Sequence, residues 1–219
     1  MSEFVTADQH FGHKKILQHQ PNRLDSWGCK TVEEMDELLI DRWNQLVSPK
    51  DVVRIVGDFA WRQHTKYLAR LKGTKILVSG THDKMPNISR QQFTQVIGTH
   101  KQPGILETMI EGQPVVLSHY PLSTWNASCH GSWHCHGHSH GSMKEEVDYL
   151  RCDVGVDVWD GYPVPWSILV KKLSARIPAW HARRELMGKD RTELDERMKQ
   201  LRESNSLLLC EGHRKEITK

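Results

Sequence analysis

Residues 51–58 read DVVRIVGD, an apolar run from Val52 to Val56 that stops at Gly57-Asp58. A short β-branched run closed by glycine and aspartate is the pattern of a buried strand that delivers a carboxylate to the loop at its end. The pattern recurs on both sides. Glu3 to Ala7 reads as a strand ending at Asp8-Gln9-His10, and Lys75 to Ser79 as one ending at Gly80-Thr81-His82-Asp83. Two later islands, His119 after Pro114 to Ser118 and Gly137-His138-Ser139-His140, complete a set of five. Carboxylate oxygen and imidazole nitrogen together suit a catalytic divalent metal, and loops at strand ends are where a sheet protein gathers its ligands.

Between these strands the chain carries helix signals. Thr31 and Glu34 form a capping-box pattern, and Val32, Met35, Leu38, Leu39, Trp43 and Leu46 then recur at helical spacing before Pro49. Tyr67, Leu68 and Leu71 mark a shorter helix closed by Gly73. Strand–helix alternation argues for right-handed crossovers and a mainly parallel first sheet. Further along, Ile105 to Ile110 and Pro114 to Ser118 flank Glu111-Gly112-Gln113, a hairpin turn that would make this half antiparallel. Arg151 to Trp159, with Val154, Val156 and Val158 on one side, reads as a late strand. Two sheets face to face with helices outside is the expected architecture.

The bulk numbers exclude several classes. Of 219 residues, 37% are hydrophobic and 26% charged, which describes a globular chain rather than a disordered one. A net charge of +3 permits an anionic substrate without suggesting a dedicated nucleic-acid coat. The five cysteines are scattered without a Cys-x-x-Cys pair, as expected of reduced thiols rather than of disulfides or a zinc ribbon. No apolar run reaches the ~20 residues of a membrane span. With a candidate ligand already at Asp8, no secretory signal is expected either, and the expected location is cytoplasmic. Histidine, at 14 residues, points to metal chemistry or pH-tuned catalysis.

In order and placement the five islands resemble the calcineurin-like metallophosphoesterases, which show Asp-x-His, Gly-Asp, Gly-Asn-His-Asp/Glu, a lone His after a strand, and Gly-His-x-His. The resemblance runs from Asp8 to His140 and on to Trp159. Asp8-Gln9-His10-Phe11-Gly12-His13 and Val154-Gly155-Val156-Asp157-Val158-Trp159 are similar to a compact, cap-less phage and bacterial branch. It implies an α/β fold, a four-layer α/β/β/α sandwich with two mixed sheets plus a charged C-terminal helix. Residues 1–176 would form the metallophosphoesterase domain and 177–219 a helical extension.

By motif, the resemblance implies that Asp8, His10 and His140 hold one metal, Asp58 bridges two, and His119 and His138 hold the second. Two divalent ions about 3.5–4 Å apart would clamp phosphate oxygens and activate a water for in-line attack. Manganese, iron, zinc, nickel and magnesium all suit such a ligand set. Asp58 and His82 would carry the catalysis, His82 by contacting the phosphoryl oxygen or protonating the leaving oxygen. His13 and Asp83 are candidates for the substrate pocket. The substrate would be a phosphomonoester or phosphodiester, a nucleotide among the options. Nucleic acid is not favoured as a partner, and the C-terminal helix could pair with another copy of the chain.

One position departs from the family pattern. Thr81 stands where asparagine is expected, and its hydroxyl is a shorter, poorer donor. Three readings follow: activity with a water in the gap, a one-metal enzyme, or an impaired phosphate-binding or scaffold module. The intact remaining ligands favour activity. A metal-dependent nuclease is the alternative enzymatic reading.

Other clusters invite different chemistry. His134, Cys135, His136, His138 and His140 could form a separate zinc site. The simpler account is that only His138 and His140 are ligands while Cys135 is buried and the other histidines are partly exposed. Trp125, His130 and Trp133 could stack on a base but more often such residues pack a loop. Residues 180–204 are rich in Arg, Lys and Glu with sparse apolar positions, as in a solvated amphipathic helix.

Overall fold

Phe4 and Val5 show how the first sheet is built, because adjacent residues on a strand face opposite sides. Phe4 packs with Val53, Ile55 and Leu77 in one core, whereas Val5 joins Val56 and Val78 in another. The computed structural model describes residues 1–186 together with 196, 199, 200 and 203. In chain order the elements are β1 (Glu3–Thr6), α1 (Ile16–His19), α2 (Asn22–Asp25), α3 (Val32–Leu46), β2 (Val52–Ile55), α4 (His64–Leu68), β3 (Thr74–Val78), α5 (Asn87–Arg90), β4 (Gln95–Thr99) and β5 (Gln102–Pro103). There follow β6 (Ile105–Ile110), β7 (Gln113–Ser118), β8 (Trp133–His136), β9 (Arg151–Asp153), β10 (Val164–Pro165), α6 (Trp166–Ala175) and α7 (Ile177–Leu186).

Six strands form one sheet in the order β10-β1-β2-β3-β4-β5, parallel from β1 to β4 and antiparallel at both edges. One face is covered by α3, whose Met35, Leu39 and Trp43 are buried against Phe4, Val53, Ile55 and Leu77. Thr31 caps α3 by accepting from the Glu34 amide at 3.2 Å, and Glu34 reaches back to the Lys30 amide. The other face meets the second sheet, in the order β6-β7-β8-β9.

The expected four-layer sandwich is corrected by what lies outside this second sheet. Among the described residues no helix layer covers its outer face. Instead, α6 places Trp166, Leu169 and Leu173 in the core between the sheets, and α7 packs Ala179 and Ala182 against Val147. Loops roof the outer face: the Leu122 amide and the Trp125 ring meet His134, while Arg151 binds the Leu122 carbonyl and Glu146. The physical reason lies in the connections. Residues 119–132 carry Ser, Gly, Asn and Pro and residues 137–142 carry Gly and Ser, which favour turns over helices.

Two smaller expectations are also corrected. In the second sheet only the β6–β7 hairpin is antiparallel, turned by Glu111 and Gly112 with positive φ, whereas β7, β8 and β9 run parallel. The late strand stops at Asp153. Beyond it the chain crosses between sheets, with the Val154 amide donating to His136 and the Val156 amide to Ala7. Of the expected C-terminal helix, α7 extends to Leu186; apart from positions 196, 199, 200 and 203, residues 187–219 lie outside the described residues. No helix among the described residues is long and apolar enough to cross a membrane.

The roofed face yields a prediction. His134 is fully buried, its Nδ1–H donating to the Val116 carbonyl at 2.9 Å and its Nε2 accepting from Leu122 at 3.1 Å. Burial, then the neighbouring His136, pushes it down to about 3. A depressed folded-state value means that the unfolded chain binds the proton first, so this group's contribution is complete above the unfolded value and is lost as pH falls. Between pH ~6.5 and ~4 the unfolding free energy of wild type should fall by about 3 kcal/mol more than that of His134→Gln. Parallel denaturation curves across that window would rule this out.

Candidate metal centre

All five islands leave the carboxyl ends of strands: Asp8 and His10 after β1, Asp58 after β2, Thr81 to Asp83 after β3, His119 after β7, and His138 and His140 after β8. Backbone pairing continues past the strands, with the Asp8 amide donating to Gly57 and the His10 amide to Asp58, each at 3.0 Å. Asp83 clamps two of the loops. Its carboxylate accepts from the amides of Asp58, Phe59 and Gly80 at 2.7–2.9 Å. Close approach requires glycine at two points. A Cβ on Gly57 would lie 2.4 Å from the His119 ring, and one on Gly80 would lie 2.4 Å from Asp58 Oδ1.

The side chains converge in two overlapping groups. Asp8, His10 and His140 form one, and Asp8, Asp58 and His119 the other, with ligand atoms in each within 4.8 Å of one another. Asp8, His10, Asp58 and His119 are buried. Asp8 Oδ1 and His10 Nε2 are buried without any hydrogen-bond partner, and buried His119 Nε2 meets the Asp58 carboxylate. Unsatisfied buried polar atoms are costly, and atoms of this type pointing at one place fit a cation.

Tautomers agree with that fit. His119 Nδ1–H donates to the Val56 carbonyl at 3.0 Å, so Nε2 is free to face Asp58 Oδ2 at 3.3 Å. His140 Nδ1–H donates to Asp157 at 2.6 Å, leaving its Nε2 for the centre. Such outer partners are the usual means of fixing a metal-binding imidazole.

The electrostatics show two carboxylates competing for positive charge. Burial pushes Asp8 up to about 7, against the pull of His140 and His119. For Asp58 burial acts upward too, but the His119 hydrogen bond and the charges of His119 and His10 outweigh it and hold the carboxyl well below its ordinary range. Burial disfavours charge on His119, yet the hydrogen bond to Asp58 and the Asp8 and Asp58 carboxylates raise it to about 9.

Other expected site residues lie elsewhere. His138 is exposed at the mouth, its ring 5.1 Å from that of His119, and it is outside both tight groups. The Thr81 hydroxyl stands 3.5 Å from both Asp58 oxygens. His82 is at the mouth, with its amide on Asp58 Oδ1 at 2.8 Å and its ring 3.9 Å from Oδ2. His13 lines an adjoining cavity and stacks on Trp61. Asp83, expected at the substrate pocket, is buried and turned into backbone amides. No separate zinc site assembles among the described residues, because Cys135 faces the inter-sheet core while His134 and His136 face the roof. Trp133 is buried in that same core, and Trp125 packs on His134.

Sequence reading gave no role to Arg23, Asp157 or Trp61. Arg23 is fully buried, donates to the Asp8 and Gln9 carbonyls, and holds Asp157 through two bonds of 2.7 and 2.8 Å. Asp157 lies in the 154–159 segment without a ligand motif of its own, and Arg23 lies in a polar stretch that carries no signal.

No family model matches the chain. It is similar to uncharacterized protein MJ1445 of Methanocaldococcus jannaschii, 29% identical over 178 residues that take in 77% of this chain and 89% of that one. It is also similar to the Gene 66 protein of Mycobacterium phage L5, 25% identical over 187 residues, 71% of this chain and 86% of the phage protein. Among solved structures, a protein of unknown function from Aquifex aeolicus, AQ665, aligns with a TM-score of 0.57 and 22% identity over 76% of this chain and 96% of that one. That likeness concerns the fold.

Asp157 offers a direct test of the fit to metal. Asp157→Asn should weaken divalent-ion affinity about tenfold or more in competition with a chromogenic chelator, because His140 loses its anionic orienting partner. Unchanged affinity would remove Asp157 from the centre.

Proposed function

We propose that the chain is a metal-dependent phosphoesterase of the calcineurin-like metallophosphoesterase type, hydrolysing a phosphomonoester or phosphodiester. One observation carries the reading. Two buried carboxylates, Asp8 and Asp58, converge with His10, His119 and His140, whose Nε2 atoms are turned to the centre. Asp8, His10 and His140 would hold one divalent ion, and Asp58 and His119 the other, with Asp58 shared. When bound, the pair supplies Lewis-acid stabilisation of phosphate oxygens and an activated water.

The chain's own residues do the rest. Asp58, fixed by the His82 amide, sets the spacing of the two groups. His82 stands at the open side, where its imidazole can hold or give a proton at the leaving oxygen. Thr81 faces Asp58 without reaching past it, so the second position depends on Asp58, His119 and a closer approach of His138. The near-complete ligand set favours activity over an impaired binding module.

Assays of p-nitrophenyl phosphate and bis-p-nitrophenyl phosphate with manganese, iron, zinc, nickel or magnesium test the reading. Activity should require one of these ions and disappear in Asp58→Ala, and no turnover with any of them would defeat it. Thr81→Asn should raise affinity for a second ion or raise kcat. Equal metal stoichiometry and rate would show that Thr81 limits nothing.

A further inference from the structure

Trp61 lies at the mouth of the metal centre and exposes 39% of its surface, unusual for a tryptophan. It is packed from one side. The His13 ring stacks on it at 4.4 Å with 8° between the planes, and His82 adjoins it at 5.1 Å. An indole fixed in this way loses little freedom when a second flat ring lands on it.

Two open cavities share the wall made by Trp61, Arg62 and His82. One, about 660 Å³, runs toward Lys14, Lys15 and His19, and the other, about 680 Å³, toward Lys84 and His100. Lys14, Lys15, Arg62 and Lys84 are all exposed, and no carboxylate lines either cavity. An exposed aromatic between two cationic grooves matches the recognition of unpaired strands, where bases stack and lysines follow the phosphates. Cations on both sides of the shared Trp61–His82 wall favour a ligand with phosphates on both sides. A mononucleotide would leave one groove unused, and a duplex would hide its base faces from Trp61.

We propose that this mouth binds single-stranded nucleic acid, with one base on Trp61 and the backbone running from the Lys14–Lys15 groove across the metal centre to the Lys84 groove. The proposal rests on the phosphoesterase reading for what happens to the phosphodiester at the centre, and its binding step is measured separately.

The test uses the full-length protein and a fluorescent single strand of about ten nucleotides with a phosphorothioate backbone, read by anisotropy. Binding should weaken as salt rises, and Lys14→Ala with Lys15→Ala should make that dependence shallower. Trp61→Ala should raise Kd at least about fivefold, while Trp61→Phe keeps most of the affinity. Matching melting temperatures for the two Trp61 variants show that the loss is not unfolding. A Kd unchanged in Trp61→Ala overturns the proposal, as does equal competition by the duplex or by the mononucleotide. Hydrolysis of bis-p-nitrophenyl phosphate without strand binding also overturns it and leaves the phosphoesterase reading standing. Strand binding without hydrolysis of any phosphoester supports the surface and sinks the phosphoesterase reading.

Discussion

Two carboxylates buried side by side are the constraint on which the structure turns. Asp8 and Asp58 each place an oxygen in one small group with His119. Like charges this close, removed from water, repel strongly and lose their hydration, so the site favours a proton kept on Asp8 or positive charge between the two. His119 shows the demand directly, since the same two carboxylates raise its affinity for a proton despite burial. A proton on His119 and a divalent ion are therefore alternatives for one place, and a doubly charged ion answers two carboxylates where a proton answers one.

Holding such a site costs backbone energy. Asp8, His10, Asp58, His138 and His140 all have positive φ, from 47° to 69°. In non-glycine residues this region costs roughly 1–2 kcal/mol each. Strain of that kind persists only where the surroundings fix it. Asp83 supplies one such fixture by collecting three amides from two loops. Arg23 supplies another, tying the carbonyls of the first loop to Asp157 and, through Asp157, to His140. The parallel strands β1, β2 and β3 make this possible, because their carboxyl ends all open on the same side.

Much of this was legible in the sequence, and the reason is local. Val52 to Val56 followed by Gly57-Asp58 states a buried strand and its loop within a few residues, and the capping pair Thr31 and Glu34 does the same for α3. The missed features depend on partners distant in the chain. Val154 and Val156 alternate as a strand would, yet one amide bonds to His136 and the other to Ala7, so the segment joins two sheets instead of extending one. Asp83 belonged to a recognisable island but spends its carboxylate on amides of the neighbouring loop. Among the described residues the second sheet has no outer helix layer, which follows from turn-forming connections that a pattern of ligand motifs does not register.

The centre has a closed floor and an open mouth, and the two parts answer to different demands. Asp8, His10, Asp58 and His119 lie on the floor, buried and tied to the backbone of neighbouring loops, where a change disturbs the buried charges. His82, His138, Thr81 and Trp61 stand at the mouth, reached by solvent and by whatever ligand arrives. Thr81 belongs to this outer group, since its hydroxyl meets Asp58 from the cavity side. On the phosphoesterase reading, a shorter side chain there leaves the floor intact, and its effect falls on the second metal position. The one position that departs from the pattern the sequence resembles therefore stands in the outer part, on the cavity side of the buried carboxylates.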